Sequence, residues 1–241
     1  MDLTCEERGS DSPLVETIWR SACEQSGPFV SIANDTWGIA VTRIQGEMIF
    51  TVRGPETRAT PAYCPAGAEF FGIQFKPGTL MPKFPAGLLR DRRDVTLPDA
   101  SGRAFWLDGA AWEFPTFDNA DVFIDRLVRA GLLQYEPAVE AVLGGQPVGG
   151  ASLRTVQRRF LRATGMTHGA LSQIKRARYA TALLRHGVSI LDTVEAAGYF
   201  DQPHLTRALR HFVGQTPAQL VSQNRSARLS FLYKTHAPLL P

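Results

Sequence analysis

The stretch Gly198 to Leu220, GYFDQPHLTRALRHFVGQTPAQL, decides how this chain is read. Gly198 fits a tight turn after a short helix. Asp201 is a good N-cap, and Pro203 is tolerated in the turn it opens. Leu205, Ala208, Leu209 and Phe212 recur at helical spacing as one apolar stripe. Pro203, Thr206, Arg207 and Arg210 stand opposite it, with His204 and His211 on one flank. Gly214 ends the helix, and Thr216-Pro217 opens another. A short helix, a tight turn, then a helix with one apolar and one Arg/Thr face is a helix-turn-helix arrangement. A basic amphipathic surface helix is the bland alternative; the turn and both caps argue against it.

The same residues closely resemble the C-terminal signature of the AraC/XylS family of transcription regulators. Gly198, Tyr199, Asp201, Gln202, His204, Leu205, Arg207, Arg210, Phe212, Gly214, Thr216 and Pro217 stand at its offsets. The resemblance implies a second unit upstream, and it is specific over roughly 118–222. Glu136 to Leu143 is the expected supporting helix and Ser152 the N-cap of the first reading helix. Val156, Phe160 and Ala163 form its buried stripe; Arg154, Gln157, Arg158 and Leu161 lie on the far side, with Arg162 at the edge. The connector between them, GGQPVGGA, is longer and richer in glycine than the family's turn.

Thr167 to Arg185 is the expected linker helix, with Leu171, Ile174, Ala177, Ala180, Leu183 and Leu184 on one side. Arg176, Ala180, Leu183 and Leu184 match the family spacing. About 16 helical residues span about 24 Å, a rod able to hold two reading heads about one DNA turn, near 34 Å, apart. Ile190 to Ala197 supports the second reading helix. Glu195 stands where the family usually has alanine, so it is expected to point outward or to pair with Arg207 or Arg210, because a buried unpaired carboxylate is costly.

Arginine can chelate the two acceptors of guanine, and glutamine the edge of adenine. Arg154, Gln157, Arg158, Gln202, Thr206 and Arg207 are therefore the base-edge candidates. Arg162, Arg210 and His211 suit phosphates, which position without specifying. His204 suits either a phosphate or a helix cap. Helix N-termini at Ser152 and Asp201 can aim N–H groups at phosphates.

The charge distribution agrees. Residues 146–241 hold 13 Lys/Arg against 3 Asp/Glu, and residues 1–145 hold 13 against 20, beneath a formal net charge of only +3. A basic half on an acidic half is the footprint of a nucleic-acid reader joined to something else. Cys5, Cys23 and Cys64 form no CxxC pair, which argues against a disulfide framework and fits a cytoplasmic protein. No stretch of about 18 apolar residues suggests a membrane span, and the polar, acidic start is unlike a secretory signal.

The expected fold class is α+β: a β-rich N-terminal barrel or sandwich followed by an all-α double helix-turn-helix. Residues 1–13 are expected to be disordered, 14–115 to form the β-rich domain, 118–225 the helical domain and 226–241 a tail. Leu14 to Gln25 is expected to be a short helix. Trp37 to Ile44, Met48 to Val52 and Glu69 to Phe75 alternate as strands. Phe105-Trp106-Leu107 and Trp112 suit either a sensor pocket or plain core. Asp118 to Ala130 is a clean helix.

The family resemblance implies a cupin-like barrel here, matched loosely by the Cys64 to Gly78 run. Metal cupins use histidine, and no histidine precedes His168, so no metal, cofactor or catalytic residue is expected. The implied function is sequence-specific transcription regulation, as an activator or a repressor. Its implied partners are double-stranded DNA, a small-molecule effector, RNA polymerase for an activator, and a second copy in a homodimer. Two alternatives stay open: an effector-independent regulator whose barrel binds a protein, and a DNA-repair enzyme that accepts methyl groups on cysteine.

Overall fold

The computed structural model describes residues 3–91, 95–222 and a short strand at 228–229. The strands are β1 Leu3–Arg8, β2 Val15–Cys23, β3 Gly27–Ser31, β4 Gly38–Ile44, β5 Glu47–Arg53, β6 Thr60–Cys64, β7 Ala68–Phe75, β8 Thr79–Leu80, β9 Val95–Thr96, β10 Ala104–Leu107, β11 Ala110–Glu113, β12 Gln134–Tyr135 and β13 Arg228–Leu229. The helices are α1 Ala86–Leu89, α2 Ala120–Arg129, α3 Pro137–Leu143, α4 Leu153–Thr164, α5 His168–Arg185, α6 Ile190–Ala196, α7 Gln202–Phe212 and α8 Pro217–Val221. The fold is α+β, strand-rich first and helical after, as the residue patterns suggest.

The main sheet has the order β1-β2-β7-β4-β5-β9, and a smaller one the order β13-β3-β6. Gln45 and Gly46, both at positive φ, make the two-residue turn between β4 and β5. Register puts Ile18, Ile73 and Ile39 side by side on one face of the main sheet. Phe123, Ile124 and Leu127 of α2 join that face, together with Phe105 and Trp112 from the β10–β11 hairpin. Phe50 and Phe105 stack at 3.8 Å between ring centroids.

Several expectations are corrected. Leu14 to Gln25 is not a helix but contains β2. Its apolar residues do not alternate because both faces are covered: Ile18 enters the α2 core, while the Trp19 ring lies over Gly72. Residues 3–8, expected to be disordered, form the edge strand β1 along β2, with Glu6 paired to Arg20 at 2.5 Å. The boundary expected near Pro115 to Asp118 falls inside this packing, since α2 shares its hydrophobic cluster with the strands. Phe105, Leu107 and Trp112 are core, whereas Trp106 is half exposed. Apart from β13, the expected tail 226–241 lies outside the described residues.

Candidate nucleic-acid interface

Two helix pairs carry the predicted contact residues. In the first, α3 supports α4. Ser152 caps α4 by accepting from the Thr155 amide at 3.3 Å, and Gly165 closes it at φ 73°. Phe160 and Ala163 are buried, with Val156 half-buried beside them. Glu136 caps α3 and also receives the Arg159 guanidinium at 2.5 and 3.0 Å. That hydrogen bond holds the Glu136 carboxyl below the usual carboxylate range, against a smaller opposing effect of burial. The same contact ties the start of the supporting helix to the middle of α4 and keeps Arg159 turned away from the far side.

In the second pair, α6 supports α7. The turn between them is held from the linker helix α5. Arg176 lies 4.6 Å over the Tyr199 ring and donates to the Gly198 carbonyl at 3.3 Å. Gly198 has φ 66°, the left-handed region that suits glycine. Asp201 caps α7 by accepting from the His204 amide at 2.6 Å. Leu205 and Leu209 are fully buried. Thr216 and Gln219 form a capping box at the start of α8.

On α4, Arg154, Gln157, Arg158 and Arg162 are exposed; on α7, Gln202, Arg207, Arg210 and His211 are exposed and Thr206 is half-buried. Among the described residues none of these five arginines makes an ion pair. His204 is also half-buried. Its Nδ1 accepts from the Phe200 amide at 3.4 Å and its ring meets Tyr199 edge-on at 5.1 Å. Of its two expected roles, this geometry is that of a cap. Glu195 is exposed and makes no ion pair with Arg207 or Arg210 among the described residues. The pairing expected of it is therefore corrected to the outward-pointing alternative. The buried residue of α6 is Thr193 instead.

Two exposed apolar side chains on or beside α4 and α7 were not among the residues that the sequence singled out: Leu153 at 73% and Phe200 at 91% exposure. Their signal was an apolar residue at a position that the helical pattern leaves polar. Such groups suit the methyl of thymine.

The strand-rich part holds an open cavity of about 690 Å³. Phe71, Val41 and Met48 line its apolar side, and the Pro115 to Phe117 segment borders it. Arg20 is paired with Glu6 and Arg43 with Glu69 at its walls. Arg20 also lies 4.6 Å over the Phe117 ring. Arg8 pins that segment, donating to the Phe117 carbonyl at 2.7 Å and to Asp121 of α2 at 2.7 Å. No helix among the described residues is long and apolar enough to cross a membrane.

Residues 149–223 match a family model described as a helix-turn-helix domain. Over 69 residues the chain is 38% identical to the HTH-type transcriptional regulator RipA of Corynebacterium glutamicum, covering 29% of this chain and 21% of that protein. It is 28% identical over 116 residues to the regulator of the same name from Corynebacterium diphtheriae, covering 48% of this chain and 33% of that protein. The matched part is thus a third or less of each relative's length. No solved structure matches the chain.

Proposed function

We propose, starting from a C-terminal region that is a helix-turn-helix domain of the AraC type, that the chain is a cytoplasmic DNA-binding transcription regulator. On this reading α4 and α7 enter the major groove of duplex DNA. Arg154, Gln157, Arg158, Gln202, Thr206 and Arg207 contact base edges, and Arg162, Arg210 and His211 contact phosphates. The observation that carries it is the division of each helix. The residue types that bind DNA stand exposed on one side, while Phe160 or Leu205 and Leu209 bury the other. Selection from a random duplex pool by the full-length protein should recover two motifs about one helical turn apart. Failure to enrich any sequence would sink the reading.

The cavity supports an effector-responsive regulator. Its volume lies in the range of small-molecule sites, roughly 300–1,000 Å³. Its two arginines and two glutamates balance, each charge already matched. A neutral or zwitterionic ligand can sit beside these half-exposed pairs without competing for either. The expected effector is therefore neutral or zwitterionic, with an apolar body against Phe71 and Met48. A thermal-shift screen with neutral, zwitterionic and singly charged metabolites tests this; stabilisation by the charged set alone would overturn the ligand class.

The repair alternative would need an activated cysteine. Burial and the neighbouring Cys23 push the Cys64 thiol up to about 12, which keeps it protonated and a poor nucleophile. Cys23 itself is buried and donates to the Gln25 carbonyl at 3.2 Å.

A further inference from the structure

The connection from β3 to β4 is buried at every residue from Ser31 to Trp37. Loops normally run over the surface, because irregular backbone in the interior leaves polar groups without partners. This one finds its partners in two places. Asn34 exchanges backbone hydrogen bonds with Glu56 at 2.8 and 2.9 Å, and its side-chain amide donates to the Thr36 carbonyl. The Ala33 amide donates at 2.7 Å to the Phe212 carbonyl, the last residue of α7.

Consecutive side chains of this loop go to different helix pairs. Ile32 packs in the cluster of α5 and α7, with Ala177, Leu184, Leu205 and Leu209. Ala33 packs in the cluster of α3, α4 and α5, with Val139, Phe160 and Ile174. Asp35, whose side chain is 5% exposed, meets Arg178 of the linker helix at 3.0 Å and Lys175 at 3.9 Å. One short loop therefore touches both helix-turn-helix units and the rod between them.

The ends of both reading helices are gripped as well. Each is followed by a positive-φ glycine lying against the strand-rich part. A Cβ on Gly165, at the end of α4, would fall 2.7 Å from the Ala86 carbonyl, and Arg90 donates to the Gly165 carbonyl at 3.1 Å. A Cβ on Gly214, after α7, would fall 2.9 Å from Val30, and the Ala59 amide donates to the His211 carbonyl at 2.8 Å. These contacts engage the C-terminal ends of α4 and α7. They leave Arg154, Gln157, Arg158, Gln202 and Arg207 exposed.

We propose that the Ser31–Thr36 loop is a positioning key: seated between the two helix-turn-helix units, it fixes the separation and relative tilt of α4 and α7. It thereby sets the half-site spacing that the protein accepts. The proposal rests on the reading of those helices as DNA-reading elements. Adding one base pair between half-sites moves them about 3.4 Å apart and turns one about 34° around the other. A linker helix alone could yield by bending or fraying. A linker tied at Asp35, with both reading helices pinned at their ends, resists that adjustment. Asp35 and Ile32 are positioning residues and touch no nucleic acid.

The test uses full-length protein and the duplex that the wild type selects from a random pool, rebuilt with one or two base pairs added or removed between its half-sites. The wild type should lose about tenfold or more in affinity per added base pair, a cost like that of a mismatch. Asp35→Asn and Ile32→Ala should flatten this to less than about threefold, with unchanged affinity for a duplex carrying one half-site. Hydrogen exchange at the Ala33 and Ala59 amides should quicken in both variants, reporting that the key has left its seat. Ile32→Ala, which leaves no charge without its partner, carries the test if Asp35→Asn does not fold. Full spacing preference retained while those amides exchange quickly would overturn the proposal. A wild type indifferent to spacing would do the same. A wild type that enriches no duplex would instead remove the DNA reading beneath it.

Discussion

Arg162→Ala should change how DNA affinity responds to salt by a calculable amount. The two reading helices carry six arginines: 154, 158, 159 and 162 on α4, 207 and 210 on α7. Arg159 is held by Glu136 at 2.5 Å, so on the proposed reading it does not reach DNA. The other five are exposed. Each phosphate neutralised by a cation contributes about −0.9 to the slope of log affinity against log salt. The two arginines assigned to phosphates, Arg162 and Arg210, give a slope of about −1.8, which is a loss of about 12-fold between 50 and 200 mM salt. Arg162→Ala leaves one, a slope of about −0.9 and a loss of about 3.5-fold. Arg162→Ala with Arg210→Ala should bring the slope close to zero. Fluorescence anisotropy with the selected duplex at 50, 100 and 200 mM KCl measures all three. Arg159→Ala is the control and should keep the slope of the wild type, whatever it does to affinity. If Arg162→Ala leaves the slope alone while Arg159→Ala lowers it by about one, the assignment of faces on α4 is wrong.

Arg207→Ala should weaken binding to the selected duplex by about 1–3 kcal/mol and relax selectivity at one base position; repeating the selection with the variant checks it, and a uniform loss across sequences would move Arg207 to the phosphate group. Glu136→Gln should act on stability through pH. The carboxyl is held below its ordinary value by Arg159, so its contribution is complete above the unfolded carboxylate range, about 4.3, and fades as pH falls through the lower folded value. Denaturation midpoints of variant and wild type should differ near neutral pH and converge in acid; a gap that widens below about pH 4 would reverse the sign argued here. Gly72→Ala would put a Cβ 2.3 Å from the Trp19 ring, with both residues buried. Overpacking of that kind costs roughly 1–3 kcal/mol, so the urea midpoint should drop clearly, and an unchanged midpoint would mean that Trp19 has room to move.

The helical half was legible because its signals are local. Asp201, Ser152, Thr167 and Thr216 each cap the helix that follows through a side-chain oxygen and the amide three residues on. Such a contact depends only on neighbours in the chain. The exposed arginines follow from the same cause, since a buried stripe at helical spacing fixes what lies opposite it. The linker α5 was also legible as a rod, at 18 residues or about 27 Å.

The strand-rich half was legible only where apolar and polar residues alternate along the sequence. In β4, β5 and β7 alternation gave approximate spans. In β2 it failed because α2 covers Ile18 and Gly72, lacking a side chain, admits Trp19 on the other side. β1 carries Cys5, Glu6, Glu7 and Arg8 with no apolar period, as an edge strand protected by charge does. The pattern of α2 shows that one of its faces is buried but not which neighbour buries it. The Ser31–Thr36 loop is the extreme case. Its residues have no period, and the reasons for their burial lie far onward in the chain, in Arg178 and around Leu205. Glu195 illustrates the converse. A resemblance supplied a position where helices were expected to touch, yet on α6 the touching residue is Thr193, at 0% exposure. Two residues along a helix is a turn of about 200°, enough to carry Glu195 from the packed side into solvent, where its charge needs no partner.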